Sequence, residues 1–234
     1  MPNIDNAVIA QFIFFMVALV FSLSVHESAH AWTSNYFGDD LARLQGRISL
    51  NPAVHVDPIG TLLFPAIAFF TGMPLIGWAK PTPVNPLRWR DKRVANFWVS
   101  IAGVICNAII AICAGILLRV LDATYLIVLY PHPFYGLYAD PQTTSLIAEG
   151  AAKLLTTFYS LNVALAIFNL LPIPPLDGSK VLSSILPPSF ESALDALDRF
   201  GYIILIVAMF TGVLGVIFRF IMPLVSFPFL IGIN

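Results

Sequence analysis

The run Ala7–Asn35, AVIAQFIFFMVALVFSLSVHESAHAWTSN, is apolar along most of its length and carries His26-Glu27-Ser28-Ala29-His30 near its end. A stretch of this length is long enough to cross a bilayer of about 30 Å as a helix. On that helix positions i and i+4 share a face, so both imidazoles can reach one metal ion with Glu27 beside them. HExxH in this form is a zinc-hydrolase signature, placed here within a membrane span. Two histidines leave a catalytic zinc short of a ligand, because such sites take three protein ligands and a water. The rest of the chain has to supply the third, and Asp177 is the candidate.

Composition agrees with a membrane setting. The 234 residues are 58% hydrophobic and 11% charged, with a mean hydropathy of +0.85, against roughly a quarter charged residues in soluble domains. The net charge of −1 gives no reason to expect a nucleic-acid partner. No Lys or Arg precedes the first span, and the span runs on through the HExxH instead of stopping at a small-residue cleavage site, so it reads as retained and not as a signal peptide. Cys106 and Cys113 lie about 10 Å apart along one helix face and read as packing residues.

The expected fold is an all-α polytopic membrane protein, a single domain over residues 1–234. Spans are expected at about 7–35, 94–121, 145–171 and 201–220, with Gly38 ending the first. Pro223 and Pro228 break up the tail at 221–233, which reads as a short extra helix or an interfacial segment. The apolar run 59–76 contains Pro65, Gly72 and Pro74. Asp177 follows the end of the third span and the HExxH lies near the end of the first, so those two spans should run in the same direction. The second span supplies the one crossing that this needs. Segment 59–76 is therefore expected to enter and leave on one side, as re-entrant backbone packed against protein. Arg43, Arg47, Lys80, Arg88, Arg90, Lys92 and Arg93 lie between the first two spans, whereas no Lys or Arg lies between Asp122 and Gly150. The positive-inside rule then puts the N-terminus outside and the metal site toward the cytoplasmic half of the cell membrane.

Asn169-Leu-Leu-Pro-Ile-Pro-Pro-Leu-Asp177-Gly178 closes the third span. Its prolines break the helix, and an ionised side chain at that depth calls for a functional reason. Metal binding provides one for Asp177, and Gly178 permits close approach of the backbone. The proposed centre is His26, His30 and Asp177 around Zn2+, with a fourth position for water and Glu27 as general base. Asn169 is the first choice as donor to the oxyanion and Asn107 the second. The plainer alternatives are that Asp177 caps the Ser179–Ile185 turn and that Asn169 and Asn107 join helices by hydrogen bonds.

HESAH, the run Gly77-Trp-Ala-Lys80-Pro81-Thr-Pro83-Val-Asn85-Pro and Asn169–Gly178 together resemble the site-2 protease family of intramembrane zinc metalloproteases, in its minimal form without a PDZ or CBS domain. The resemblance covers nearly the whole chain. It implies His26, His30 and Asp177 as ligands, Glu27 as base, and Asn169 as a polar active-site residue. It also implies that Gly77, Lys80, Pro81, Pro83 and Asn85 belong to a short β-like segment dipping beside the site to receive a substrate strand. One departure is Val104, which stands where the family's Gly-Pro-x-x-Asn motif has proline. His55 is a candidate for a site-proximal role or a loop histidine bonded to Asp57 or backbone, and His132 reads as solvated.

The expected activity is endopeptidase cleavage within or next to transmembrane helices of membrane-protein substrates in the lipid bilayer. The alternatives are a membrane zinc transporter or sensor with the same ligands and an inactive, helix-binding relative. No internal repeat supports transport.

Overall fold

The computed structural model describes residues 5–73, 77–142 and 145–232. Helix α1, Asn6–Tyr36, starts where the Asp5 carboxylate accepts the Val8 N–H at 2.9 Å. It ends at Gly38, whose φ of 110° leaves the helical region. A one-turn helix α2, Leu41–Leu44, follows. Helix α4, Lys92–Ala123, is capped by Asp91, which accepts the N–H groups of Arg93 and Val94. Helix α5 is Leu146–Leu170, with Ser145 as its cap.

Helix α4 packs on α1 and α5, which also meet each other. Its buried stripe repeats every four residues through Ala95, Val99, Gly103, Asn107, Ala111 and Gly115. Small residues at that spacing let helix backbones approach closely. The outward faces are large and apolar, with Ile9, Ile13, Val17 and Phe21 on α1 and Ile105, Ile109, Ile112 and Ile116 on α4. The polar side chains Ser22, Ser24, His26, Asn107 and Asn162 point inward. Apolar outside and polar inside is the arrangement that a hydrocarbon solvent favours. Among the described residues four helices are long and apolar enough to cross a membrane: α1, α4, α5 and α8 (Val213–Leu230). The protein is a multi-pass membrane protein.

Segment 58–71 is a wide helical turn, Pro58–Leu63, continued by α3, Phe64–Thr71, and begun by Asp57, which accepts the N–H groups of Ile59 and Gly60. Its 14 residues reach about 21 Å, short of a bilayer crossing. The chain then comes back on itself: Trp78 N–H donates to the Gly60 carbonyl at 3.2 Å, and the Thr61 hydroxyl donates to the Trp78 carbonyl at 2.8 Å. The two ends of the excursion are adjacent. Residues 74–76 of the expected 59–76 run lie outside the described residues.

Two expectations need correction. A span at 201–220 does not form. Helix α7, Glu191–Phe210, stops there, and Gly212 at φ +79° separates it from α8. The left-handed turn is open to glycine at no steric cost, so an apolar run that looks continuous is in fact two helices. Pro223 and Pro228 do not break the tail either, because α8 continues through both to Leu230; Ile233 lies outside the described residues. The second correction is in the connection between α4 and α5, where the all-α expectation has no strand. It holds an antiparallel hairpin, β1 (Ile127–His132) and β2 (Gly136–Pro141), pairing Ile127 with Pro141 and His132 with Gly136. Ile127, Leu129, Leu137 and Ala139 are buried in one cluster with Leu118, Tyr159 and Met222. His132 forms the turn, its Nδ1 accepting the N–H groups of Phe134 and Tyr135.

Candidate metal centre

His26 and His30 stand one helical turn apart on the buried face of α1. The third element arrives from the other end of the sequence. After Leu171, α5 gives way to tight turns in which Ile173 N–H reaches the Leu171 carbonyl and Leu176 N–H the Ile173 carbonyl. Asp177 then opens the short helix α6, Asp177–Ile185. A Cβ on Gly178 would lie 2.3 Å from the Leu170 carbonyl oxygen and 2.5 Å from that of Leu171, so only glycine lets α6 start this close to the end of α5. At its far end α6 is pinned to α4. Arg93 donates to the carbonyls of Ser184, Ile185 and Leu186, and Asn96 to the Ser184 hydroxyl and the Lys180 carbonyl.

These supports bring three side chains together. Asp177 Oδ2 is 3.1 Å from His26 Nε2 and 3.3 Å from His30 Nε2, and the two Nε2 atoms are 3.0 Å apart. All three residues are buried. His30 Nδ1 lies 2.6 Å from the Val99 carbonyl, which can only accept, so Nδ1 carries the hydrogen and Nε2 presents a lone pair. His26 is held in the same sense by Asn107 Oδ1 at 3.3 Å from its Nδ1. Two lone pairs and a carboxylate oxygen therefore face one another, and Asp177 Oδ2 is buried with no hydrogen-bond partner among the described residues. A cation at their centre relieves this. Ligands about 2.0–2.2 Å from a tetrahedral zinc are about 3.3–3.6 Å apart, slightly wider than the observed triangle, and the donor set of two imidazoles and one carboxylate suits zinc. Outer partners that fix each imidazole are the usual accompaniment of such sites. Asp177 does not cap its helix: the cap position is Leu176, without a side-chain bond.

Glu27 is half-buried, its carboxylate within 4.8 Å of the histidine ligand atoms. Its Oε2 accepts from both the backbone N–H (2.9 Å) and the hydroxyl (2.8 Å) of Thr82. Thr82 lies in the proline-rich run, which is extended beside the site. Trp78, Lys80 and Thr82 each direct an N–H toward the protein, to Gly60, His55 and Glu27. That alternation is the period of two of an extended chain. No regular strand forms at Gly77, Lys80, Pro81, Pro83 or Asn85. Asn85 N–H goes to Asp39 at 2.7 Å. Buried Arg47 holds the run from beneath, donating to the carbonyls of Val54, Lys80 and Pro81.

The other expected site residues fall differently. Asn169 is half-buried and donates to the Leu165 carbonyl of its own helix at 3.0 Å. Asn107 is fully buried, and its Nδ2 has no hydrogen-bond partner among the described residues. His55 is buried and bonds to the Ser49 carbonyl through Nε2, not to Asp57. Burial pushes its pKa below the ordinary histidine value, against the opposing pull of the Ser49 carbonyl. His55 reaches the site only through its backbone carbonyl, which accepts from Lys80. Sequence reasoning missed Thr82, Arg47 and Asn162. Asn162 is fully buried and joins α5 to α1 through Ser22 at 2.8 Å. For Asn162 the signal was the same as for Asn107, an amide in mid-span. For Thr82 it was the lone hydroxyl between two prolines.

Comparison with known proteins points the same way. The model of peptidase family M50 matches residues 14–214. A Bacillus subtilis protein named "Putative zinc metalloprotease YwhC" is 34% identical over 198 residues, covering 85% of this chain and 80% of its own. "Putative zinc metalloprotease Rip2" of Mycolicibacterium smegmatis is 29% identical over 204 residues, covering 87% of this chain and 69% of its own. No solved structure matches. With a family model spanning most of the chain and 34% identity over 198 residues to a relative named as a putative zinc metalloprotease, the protein belongs to peptidase family M50, the site-2 protease family of zinc metalloproteases.

Proposed function

We propose that the protein is an intramembrane zinc endopeptidase that hydrolyses peptide bonds within or next to transmembrane helices of membrane-protein substrates. The observation that carries this reading is the triangle of His26 Nε2, His30 Nε2 and Asp177 Oδ2, edges 3.0–3.3 Å, enclosed by helices whose outer faces are apolar. His26 lies ten residues before the end of α1, about 15 Å from it along the axis, so the chemistry takes place below the headgroups.

His26, His30 and Asp177 hold the metal. Zinc in such a site supplies a Lewis acid and lowers the pKa of a bound water toward neutrality. Glu27 takes up the proton of the attacking water and returns it to the leaving amine, using Oε1, which has no hydrogen-bond partner among the described residues. Asn107 orients His26 through Oδ1 and leaves Nδ2 as the donor for the oxyanion, while the Asn169 amide is already engaged with Leu165.

The substrate has to be unwound before its carbonyls can be attacked. The 77–85 segment is the surface for the unwound strand, by addition of an edge. Its inward register is filled by Trp78, Lys80 and Thr82, so among the described residues Gly77 and Ala79 keep an N–H and a carbonyl for a partner, and Pro81 and Pro83 have no N–H to offer. Arg43, Lys80, Arg88 and Arg90 lie in the connection between α1 and α4, and Lys92 and Arg93 in the first turn of α4, which supports a cytoplasmic position for that end of the bundle and an N-terminus outside. Arg47 is buried in structural bonds and adds little to that count.

The test is Glu27→Gln. Zinc content of the purified protein stays at the wild-type level while cleavage of a tagged membrane substrate disappears. Full cleavage by this variant refutes the reading.

A further inference from the structure

We propose that Thr82 is a positioning residue for Glu27: it fixes one carboxylate oxygen and so leaves the other for the proton. This rests on the reading of Glu27 as the general base. Between Pro81 and Pro83 the chain has a single backbone N–H, that of Thr82, because proline has none. That N–H and the Thr82 hydroxyl both converge on Glu27 Oε2, at 2.9 and 2.8 Å. Pro83 also keeps the residue before it out of the helical region, which holds Thr82 extended and turns both donors the same way. The hydroxyl oxygen is also 2.9 Å from the Glu27 backbone carbonyl, so its single hydrogen is shared between that carbonyl and Oε2, while the backbone N–H serves Oε2 alone.

A glutamate side chain turns about three bonds, and one oxygen held by two donors removes most of that freedom. The strand bearing Thr82 is itself fixed. Arg47 donates to the carbonyls of the two residues before Thr82, and Lys80 N–H donates to His55. The buried guanidinium spans carbonyls from two separate stretches of chain, Val54 and Lys80–Pro81, as its forked donors allow. The line of support therefore runs from Arg47 through the 80–81 backbone to Thr82 and on to Glu27. A plain staple between the segment and α1 needs no more than the backbone carbonyl of Glu27. The two donors on the carboxylate oxygen are what a base of fixed geometry needs.

The test compares wild type, Thr82→Val, Thr82→Ser and Glu27→Gln, with zinc per chain and steady-state kinetics as readouts. The substrate is the synthetic single-span helix peptide that the wild type cuts fastest from a panel in detergent micelles. Thr82→Val keeps the side-chain shape and loses the hydroxyl. It is expected to lower kcat roughly 10- to 100-fold with KM nearly unchanged. Zinc content should equal that of the wild type. Thr82→Ser, which keeps both donors, is expected to return kcat to within about threefold of wild type. If the valine variant does not fold, Thr82→Ala makes the same comparison. The assignment is overturned if the valine or alanine variant keeps wild-type kcat, if serine is as slow as valine, or if the whole loss falls in KM, as for a substrate-docking or merely structural residue. An inactive Glu27→Gln beside a fully active Thr82→Val overturns the role of Thr82 alone. An active Glu27→Gln overturns the reading of Glu27 itself.

Discussion

Replacing Gly103 by alanine is expected to weaken the metal site by moving one of its ligands. Gly103 lies on the buried stripe of α4 directly against the His26 ring. A Cβ there would be 2.5 Å from His26 Cε1 and Nδ1 and 2.6 Å from Nε2. Unbonded heavy atoms rest at about 3.5–4.0 Å, so the ring has to retreat by about 1 Å. Zinc–ligand distances tolerate only about 0.2 Å, and the bond from His26 Nδ1 to Asn107, already 3.3 Å, does not survive a shift of that size. Helix propensity acts in the other direction, since alanine is favoured over glycine by about 1 kcal/mol, so any loss belongs to the collision. We expect zinc affinity to fall by at least ~100-fold, about 2.8 kcal/mol. The assay is zinc competition against a chromophoric chelator on the purified protein in detergent. Gly115→Ala is the control: it lies on the same stripe, but its Cβ meets the Phe229 ring at 2.6–2.9 Å, away from the metal site. It should leave zinc affinity unchanged. Wild-type affinity in Gly103→Ala would refute the packing argument.

Three more outcomes follow from the same geometry. Asp177→Asn should lower both zinc retention and activity, because it removes the one anionic ligand; metal analysis finding full zinc occupancy would make Asp177 structural. Asn107→Ala should reduce zinc affinity roughly 10- to 100-fold through the loss of the partner of His26, and kcat as well; a fall in kcat with wild-type zinc affinity would leave only the oxyanion role. Arg93→Ala should lower the thermal stability of the protein by about 1 kcal/mol, because three carbonyls at the end of α6 lose a charged donor. It should also loosen zinc through Asp177, and unchanged zinc affinity would show that α6 is held in place without this anchor.

What could be read from the chain alone is what local periodicity and hydropathy control. The membrane class, the helices that became α1, α4 and α5, and the shared face of His26 and His30 all follow from spacing along one segment. Asp177 stood out as the third ligand because an ionisable side chain follows the proline-broken end of a span, and the resemblance of HExxH with PxPPLDG agreed, but neither gives the geometry. Two misreadings had local causes as well. A glycine at 212 can pass for part of an apolar helix, and the β-branched and aromatic run at 125–130 was overlooked as a strand because its turn, Pro133–Tyr135, carries no Asn-Gly or Asp-Gly signal.

Only the tertiary structure decided which atoms meet. Asp177 reaches the histidines because α5 ends against a glycine at 178 and α6 is anchored to α4 by Arg93 and Asn96. Thr82 reaches Glu27 because a buried arginine and a returning loop hold a proline-rich strand beside α1. The two decisive meetings, Asp177 with the histidines and Thr82 with Glu27, join residues separated by 55 or more positions, and their geometry is set by how small side chains let three helices close on one another. Residue spacing along a chain carries no information about that closure, so the ligand types were evident early and their partners were not.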